Sequence, residues 1–162
     1  MEQEIIDCIH GIPQKVAGAW TNTNWTNAVK AAFAELGKKH GWIISASMPK
    51  EAEADPEWLF DLTWYKYATD DPLGLEIGLI LESEWSEEFG ELRYDFEKLI
   101  IGKSPYKVFI FEAASDDIKN TMLKLNSVID HCRHSSAGET YIFAGWDGAR
   151  KRFVTAVKEV ES

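Results

Sequence analysis

Positive charge is scarce in this chain beside negative charge. Its 162 residues carry 17 Lys and Arg against 27 Asp and Glu, a formal net charge of −10 at pH 7. A field of that sign excludes a protein that coats nucleic acid by bulk electrostatics. Cysteine is nearly absent. Cys8 and Cys132 are too few for a disulfide framework, and thiols kept reduced point to the cytoplasm. The opening Met1-Glu2-Gln3-Glu4 lacks the basic start of a secretory leader. No apolar run approaches the ~20 residues of a membrane helix, so no membrane partner is expected. Also missing are a Gly-rich phosphate loop, a nucleophile elbow, internal repeats and low-complexity tracts.

What is present is a core. Hydrophobic residues make up 45% of the chain and seven are Trp, enough for one packed domain over 1–162. Residues 1–20 read as an N-terminal extension, interrupted at Gly11, Pro13 and Gly18, in which Ile5, Ile6 and Ile9 offer a short helical face. A helix is expected over 24–39, where Trp25, Val29, Ala32, Phe33 and Leu36 recur at helical spacing. Strands are expected over 42–48, 57–66, 75–84, 106–112 and 141–146, with a last one in 150–160. Further helices are expected over 86–101 and after the Ser115-Asp116-Asp117 cap. The alternation predicts an α/β fold with a central mixed β-sheet flanked by helices.

The acidic residues are not spread evenly. Leu75-Glu76-Ile77-Gly78-Leu79-Ile80-Leu81 is an apolar run that ends in Glu82-Ser83-Glu84. Residues two apart on a strand share a face, so Glu82 and Glu84 project together, with stems roughly 6–7 Å apart. Two such anions repel and resist desolvation, and a hard divalent cation with its preference for oxygen relieves both strains. Solvated glutamates at a strand end are the plainer reading. Asp61 adds weight because it lies among Leu59, Phe60, Leu62 and Trp64, where an unpaired Asp is unusual. The turn Thr69-Asp70-Asp71-Pro72-Leu73-Gly74 predicts a hairpin between the two strands, and its register decides whether Asp61 meets Glu82.

This order of helix, strand, Asp strand, Glu-x-Glu strand, helix and strand resembles the core of the PD-(D/E)xK nuclease superfamily. The resemblance spans roughly 24–147 and implies a restriction-endonuclease-like fold. Asp61 matches the family's Asp and Glu82 its acidic second position. Glu84 stands where the family usually has Lys, and the proline before the Asp is missing. Some members carry Glu-x-Glu, and others move the Lys to the next helix, where Lys98 is available. The resemblance implies Mg2+ or Mn2+ held by Asp61, Glu82 and Glu84, with Lys98 orienting water, in a nuclease acting on nucleic acid.

Three other features stay open at this level. Lys98 also suits an ordinary helical ion pair with Asp95, and Glu35 a plain surface position. Trp64 and Trp85 flank the acidic residues, either as core or as base-stacking rings. His131-Cys132-Arg133-His134 lacks a second ligand pair and does not read as a zinc site. The alternative function is a non-catalytic interaction module whose acidic stretch, Glu82 to Glu97, binds a basic protein partner. The Glu in place of Lys and the charge of −10 favour that alternative.

Overall fold

The computed structural model describes residues 1–71, 73–133 and 135–161. Pro72 of the expected turn and His134 of the His-Cys-Arg-His run lie outside the described residues. Among the described residues four α-helices are formed: α1 (Glu2–Gly11), α2 (Asn22–Lys39), α3 (Phe89–Ile101) and α4 (Ile118–His131). Six strands are formed: β1 (Ile43–Ala46), β2 (Leu62–Tyr67), β3 (Leu75–Glu84), β4 (Tyr106–Glu112), β5 (Thr140–Asp147) and β6 (Arg152–Glu159). They make one open sheet in the order β1-β2-β3-β4-β5-β6. The β1/β2, β2/β3 and β5/β6 pairs are antiparallel, and β3/β4 and β4/β5 are parallel. The expected mixed α/β sheet is therefore present, and α3 and α4 are the crossovers that parallel neighbours require.

Each face of the sheet carries its own core. On one face Ile5, Ile9 and Ile12 from the first residues join Trp25, Val29 and Phe33 of α2 over Leu79, Leu81, Val108, Ile142 and Trp146. On the other, Leu92, Phe96 and Leu99 of α3 and Ile118, Met122, Leu125 and Ile129 of α4 cover Ile80, Phe109, Phe111 and Phe143. The two sets alternate along β3, β4 and β5, as the period of two demands. Strands covered on both faces become near-continuous apolar runs, which is the composition of Leu79-Ile80-Leu81 and Val108-Phe109-Ile110-Phe111.

Two details set the site. In the β2/β3 hairpin Leu62 lies opposite Leu81, with a bulge between Trp64 and Tyr65. That register carries Asp61, one residue before β2, to the level of Glu82. On the far side of β3, Glu82 pairs with Phe109 and Glu84 with Phe111. The carboxyl ends of β3, β4 and β5 thus lie together at one end of the sheet.

Candidate functional site at the carboxyl end of the central strands

Glu82 is drawn inward because its neighbours on the same face, Ile80 and Phe109, belong to the α3/α4 core. The side chain is 3% exposed. Its Oε2 accepts from Lys98 Nζ at 3.3 Å, while Oε1 is buried without a hydrogen-bond partner. Burial, and then the negative charge of Asp61, push the Glu82 carboxyl up to about 8, against the pull of Lys98. Glu82 therefore holds its proton through much of the neutral range.

Lys98 stands on α3 one helical turn beyond Asp95 and forms the expected helical ion pair together with a contact to Glu82. Its Nζ lies 2.7 Å from Asp95 Oδ1 as well as 3.3 Å from Glu82. Burial disfavours the ammonium, but the Asp95 hydrogen bond and the Glu82 charge outweigh it and raise its pKa. Glu84 is less buried. Its carboxyl is raised by desolvation and then by a hydrogen bond with Asp95, and Ser86 N–H donates to its Oε1 at 2.6 Å. Asp95 thus ties Glu84 to Lys98. The Asp95–Lys98 pair is the one expected from the i, i+3 spacing, whereas the link from Asp95 to Glu84 has no signal in the sequence.

Asp61 is held differently. Its Oδ2 accepts from the Ser83 backbone N–H at 2.9 Å and from the Ser83 hydroxyl at 2.7 Å. Its Oδ1 lies 3.8 Å from Lys30 Nζ on α2, and Lys30 also donates to Glu57 at 2.8 Å. The pattern has a simple cause. β2 begins after Asp61, so the Ser83 amide has no strand residue opposite to accept from it, and the carboxylate takes that role. The structure brings Glu82, Glu84, Asp95 and Lys98 into one chain of contacts. It places Asp61 beside that chain, close enough to perturb Glu82 but hydrogen-bonded to Ser83 and paired at longer range with Lys30. Among the described residues, no group of three or more His, Cys, Asp or Glu side chains could by itself hold a metal ion.

The other residues weighed from sequence have settled roles. Trp64 is buried and donates its indole N–H to the Phe33 carbonyl, and Trp85 donates to Thr26 Oγ1. Glu35 is an exposed partner of Lys15. Cys8 and Cys132 are free thiols, and His131 donates to the Ser127 carbonyl of its own helix. At the same end of the sheet Asp147 accepts from Ser115 at 2.5 Å and from Arg150 at 2.9 Å, which together hold it down at about 2.

No protein-family model, curated protein or solved structure matches the chain.

Proposed function

We propose that the chain hydrolyses a phosphodiester bond of nucleic acid with Mg2+ or Mn2+ at the Glu82 end of β3, on a restriction-endonuclease-like fold. The observation that carries the reading is the unpartnered Oε1 of the Glu82 carboxyl group, which is 3% exposed, faces a lysine through its other oxygen and would give up its proton when a cation binds. A buried acceptor left unmatched costs about 1–3 kcal/mol. Such an oxygen beside the charge of Asp61 suits a hard cation. The lack of a closed three-ligand cage does not count against Mg2+, which is usually held by one or two carboxylates, waters and the substrate phosphate. Asp61 and Glu82 are the residues that would hold it, with Glu84 completing the shell or positioning water. The bound ion would supply hydroxide near neutral pH and offset charge on the phosphoryl oxygens. Lys98 fixes Glu82 Oε2 and offers positive charge to the reacting phosphate. The element order, three antiparallel strands followed by a helix and a parallel strand, supports the fold assignment.

Manganese titration by calorimetry and thermal melting, paired with cleavage assays on DNA and RNA, tests this reading. Wild type is expected to bind Mn2+, to melt higher in its presence by mass action, and to nick substrate. Glu82→Gln is expected to keep the fold, lose the Mn2+-dependent rise and lose at least about 100-fold in cleavage, since charge stabilisation and hydroxide supply each contribute several kcal/mol. A melting temperature unchanged across millimolar Mn2+, with wild type inert on every substrate, removes the hydrolytic reading.

A second reading is favoured by one observation: Lys98 and Lys30 are both already neutralised, by Asp95 and Glu57 at 2.7 and 2.8 Å. Under that reading the fold is an interaction module. The exposed Glu87, Glu88 and Glu91 would meet a basic protein, and the affinity would fall with salt.

A further inference from the structure

We infer that Trp20, with Lys151 beside it, is a stacking platform for a base of single-stranded nucleic acid at the same end of the sheet as Glu82; this rests on the hydrolytic reading above. Trp20 is 51% exposed, yet it is not loose. Its ring centroid lies 5.5 Å from both Trp25 and Trp146, edge-on at 75° and 71°. Below it Trp25, Trp146 and Phe153 pack on one another at 4.6 to 5.9 Å. The backbone around it is anchored too. The Ala19 carbonyl accepts from Asn24 Nδ2 at 2.7 Å and from the Thr21 N–H at 2.9 Å, and Gly18 takes the turn at φ +76°. The indole is held against two other rings and remains half-exposed. A base stacks with little ordering cost on a ring that is already held.

The charge beside the ring is the second observation. In a chain of net charge −10, the β5/β6 turn carries three consecutive cations, Arg150-Lys151-Arg152. Lys151 Nζ lies 5.7 Å from the Trp20 centroid, on a residue in the left-handed region at φ 51°. Arg150 is engaged by Asp147, with Asp116 adding a weaker pull, while Lys151 and Arg152 are exposed. A half-exposed ring with a cation over it matches a base joined to a phosphate. A base within a duplex has its faces covered by its neighbours, so the match is to a single strand. The rings link the platform to the end of β3, although Glu82 itself faces the α3/α4 side of the sheet and the Trp20 cluster the α2 side. Trp85 follows Glu84 directly, and its ring packs 5.5 Å from Trp25, the ring that supports Trp20.

The test uses the full chain in EDTA, so that binding is read without cleavage. Labelled single-stranded DNA and RNA oligonucleotides are titrated by anisotropy and by tryptophan quenching. A blunt duplex and inorganic polyphosphate serve as comparison probes. Wild type is expected to prefer the single strand. Trp20→Ala should weaken it by roughly 5- to 150-fold, the size of one base stack. Trp20→Phe should retain most of the affinity, and Lys151→Ala should lower the salt dependence by about one phosphate contact. Melting curves confirm that each variant is folded. Equal affinity for wild type and Trp20→Ala, a duplex bound as tightly, polyphosphate quenching as strongly, or no binding at all each overturn the platform. Cleavage with Mn2+ is scored separately. Trp20-dependent binding with no Glu82-dependent cleavage leaves the platform standing and removes hydrolysis; cleavage with Trp20-independent binding does the reverse.

Discussion

Glu82 gathers the physics of this chain into one side chain. Its acid dissociation is pushed up to about 8 by burial and by Asp61, so between about pH 4.5 and 8 the unfolded chain has released a proton that the folded chain keeps. Folding stability from this residue therefore falls as pH rises through that window and is fully depressed above it. Glu84 and Glu112, also raised chiefly by burial, lean the same way. Glu82→Gln replaces the protonated form by a near-isostere and removes the slope. The two proteins should melt alike near pH 5, and the variant should melt several degrees higher near pH 8.5, at roughly 2–4 °C per kcal/mol for this length. A constant difference between the two melting curves across that range would contradict the assignment. Asp147 works in the opposite sense: held low by Ser115 and Arg150, it loses its contribution as pH falls towards about 2. The residues of this site are unevenly legible in sequence. Glu82 and Glu84 stand out by their place at the end of an apolar run, Asp61 by its apolar company, and Lys98 by helical spacing. Ser83 and Lys30 do not stand out, because their roles arise where β2 begins and α2 packs beside it, and no local pattern encodes that meeting.

At the level of elements, packing against glycine decides which backbones come close. A Cβ added at Gly145 on β5 would lie 2.5 Å from Ile118 Cγ2, at the start of α4, and 3.1 Å from the Phe111 ring. Gly145→Ala should therefore destabilise by about 1–3 kcal/mol through overpacking, lowering the melting temperature by several degrees. Gly90, in the first turn of α3, meets nothing within 4 Å. Gly90→Ala should be neutral or stabilising by up to about 1 kcal/mol, since only the helix propensity changes. Equal effects at the two positions, read by denaturant unfolding, would show that close approach is not the reason for glycine on β5. The same scale shows where sequence patterns succeed. The α2 stripe of Trp25, Val29, Phe33 and Leu36 and the β4 run of Val108 to Phe111 announce their elements because each is long and periodic. The α1 helix is faint by comparison. Its buried face is Ile5 and Ile9 alone, and its order depends on α2 and β6 against it. Glu53, in the left-handed region after the turn at Lys50–Ala52, belongs to the segment that bridges Asp55 to Ser45 at the outer edge of β1. That contact is tertiary and leaves no periodic trace.

The molecule as a whole carries its negative charge unevenly, with Glu76 to Glu97 the densest stretch. Self-repulsion of this kind is screened over about 10 Å at 0.1 M salt. Sodium chloride from 10 to 300 mM at pH 8 should raise the melting temperature by a few degrees, and neutralising Glu87, Glu88 and Glu91 together as Gln should flatten that response. A melting temperature indifferent to salt in wild type would mean that Lys30, Lys98 and Lys66 already balance the field locally. The overall α/β plan was legible because the chain alternates strand and helix periods. Beyond the β2/β3 hairpin announced by its turn the strand order was not, because pairing partners are chosen by side-chain fit across the sheet. That order, β1 to β6 without a break in sequence, has a consequence for how the protein is made. As the polypeptide leaves the ribosome, each new strand finds its partner already at the open margin of the sheet and no later segment must be inserted between two earlier ones. Assembly can then advance from one side to the other, with β6 as the last plank laid. Until Phe153 reaches Trp146, the nascent sheet ends in β5, its hydrogen-bonding margin bare and its most apolar face open to chaperones and to other unfinished chains.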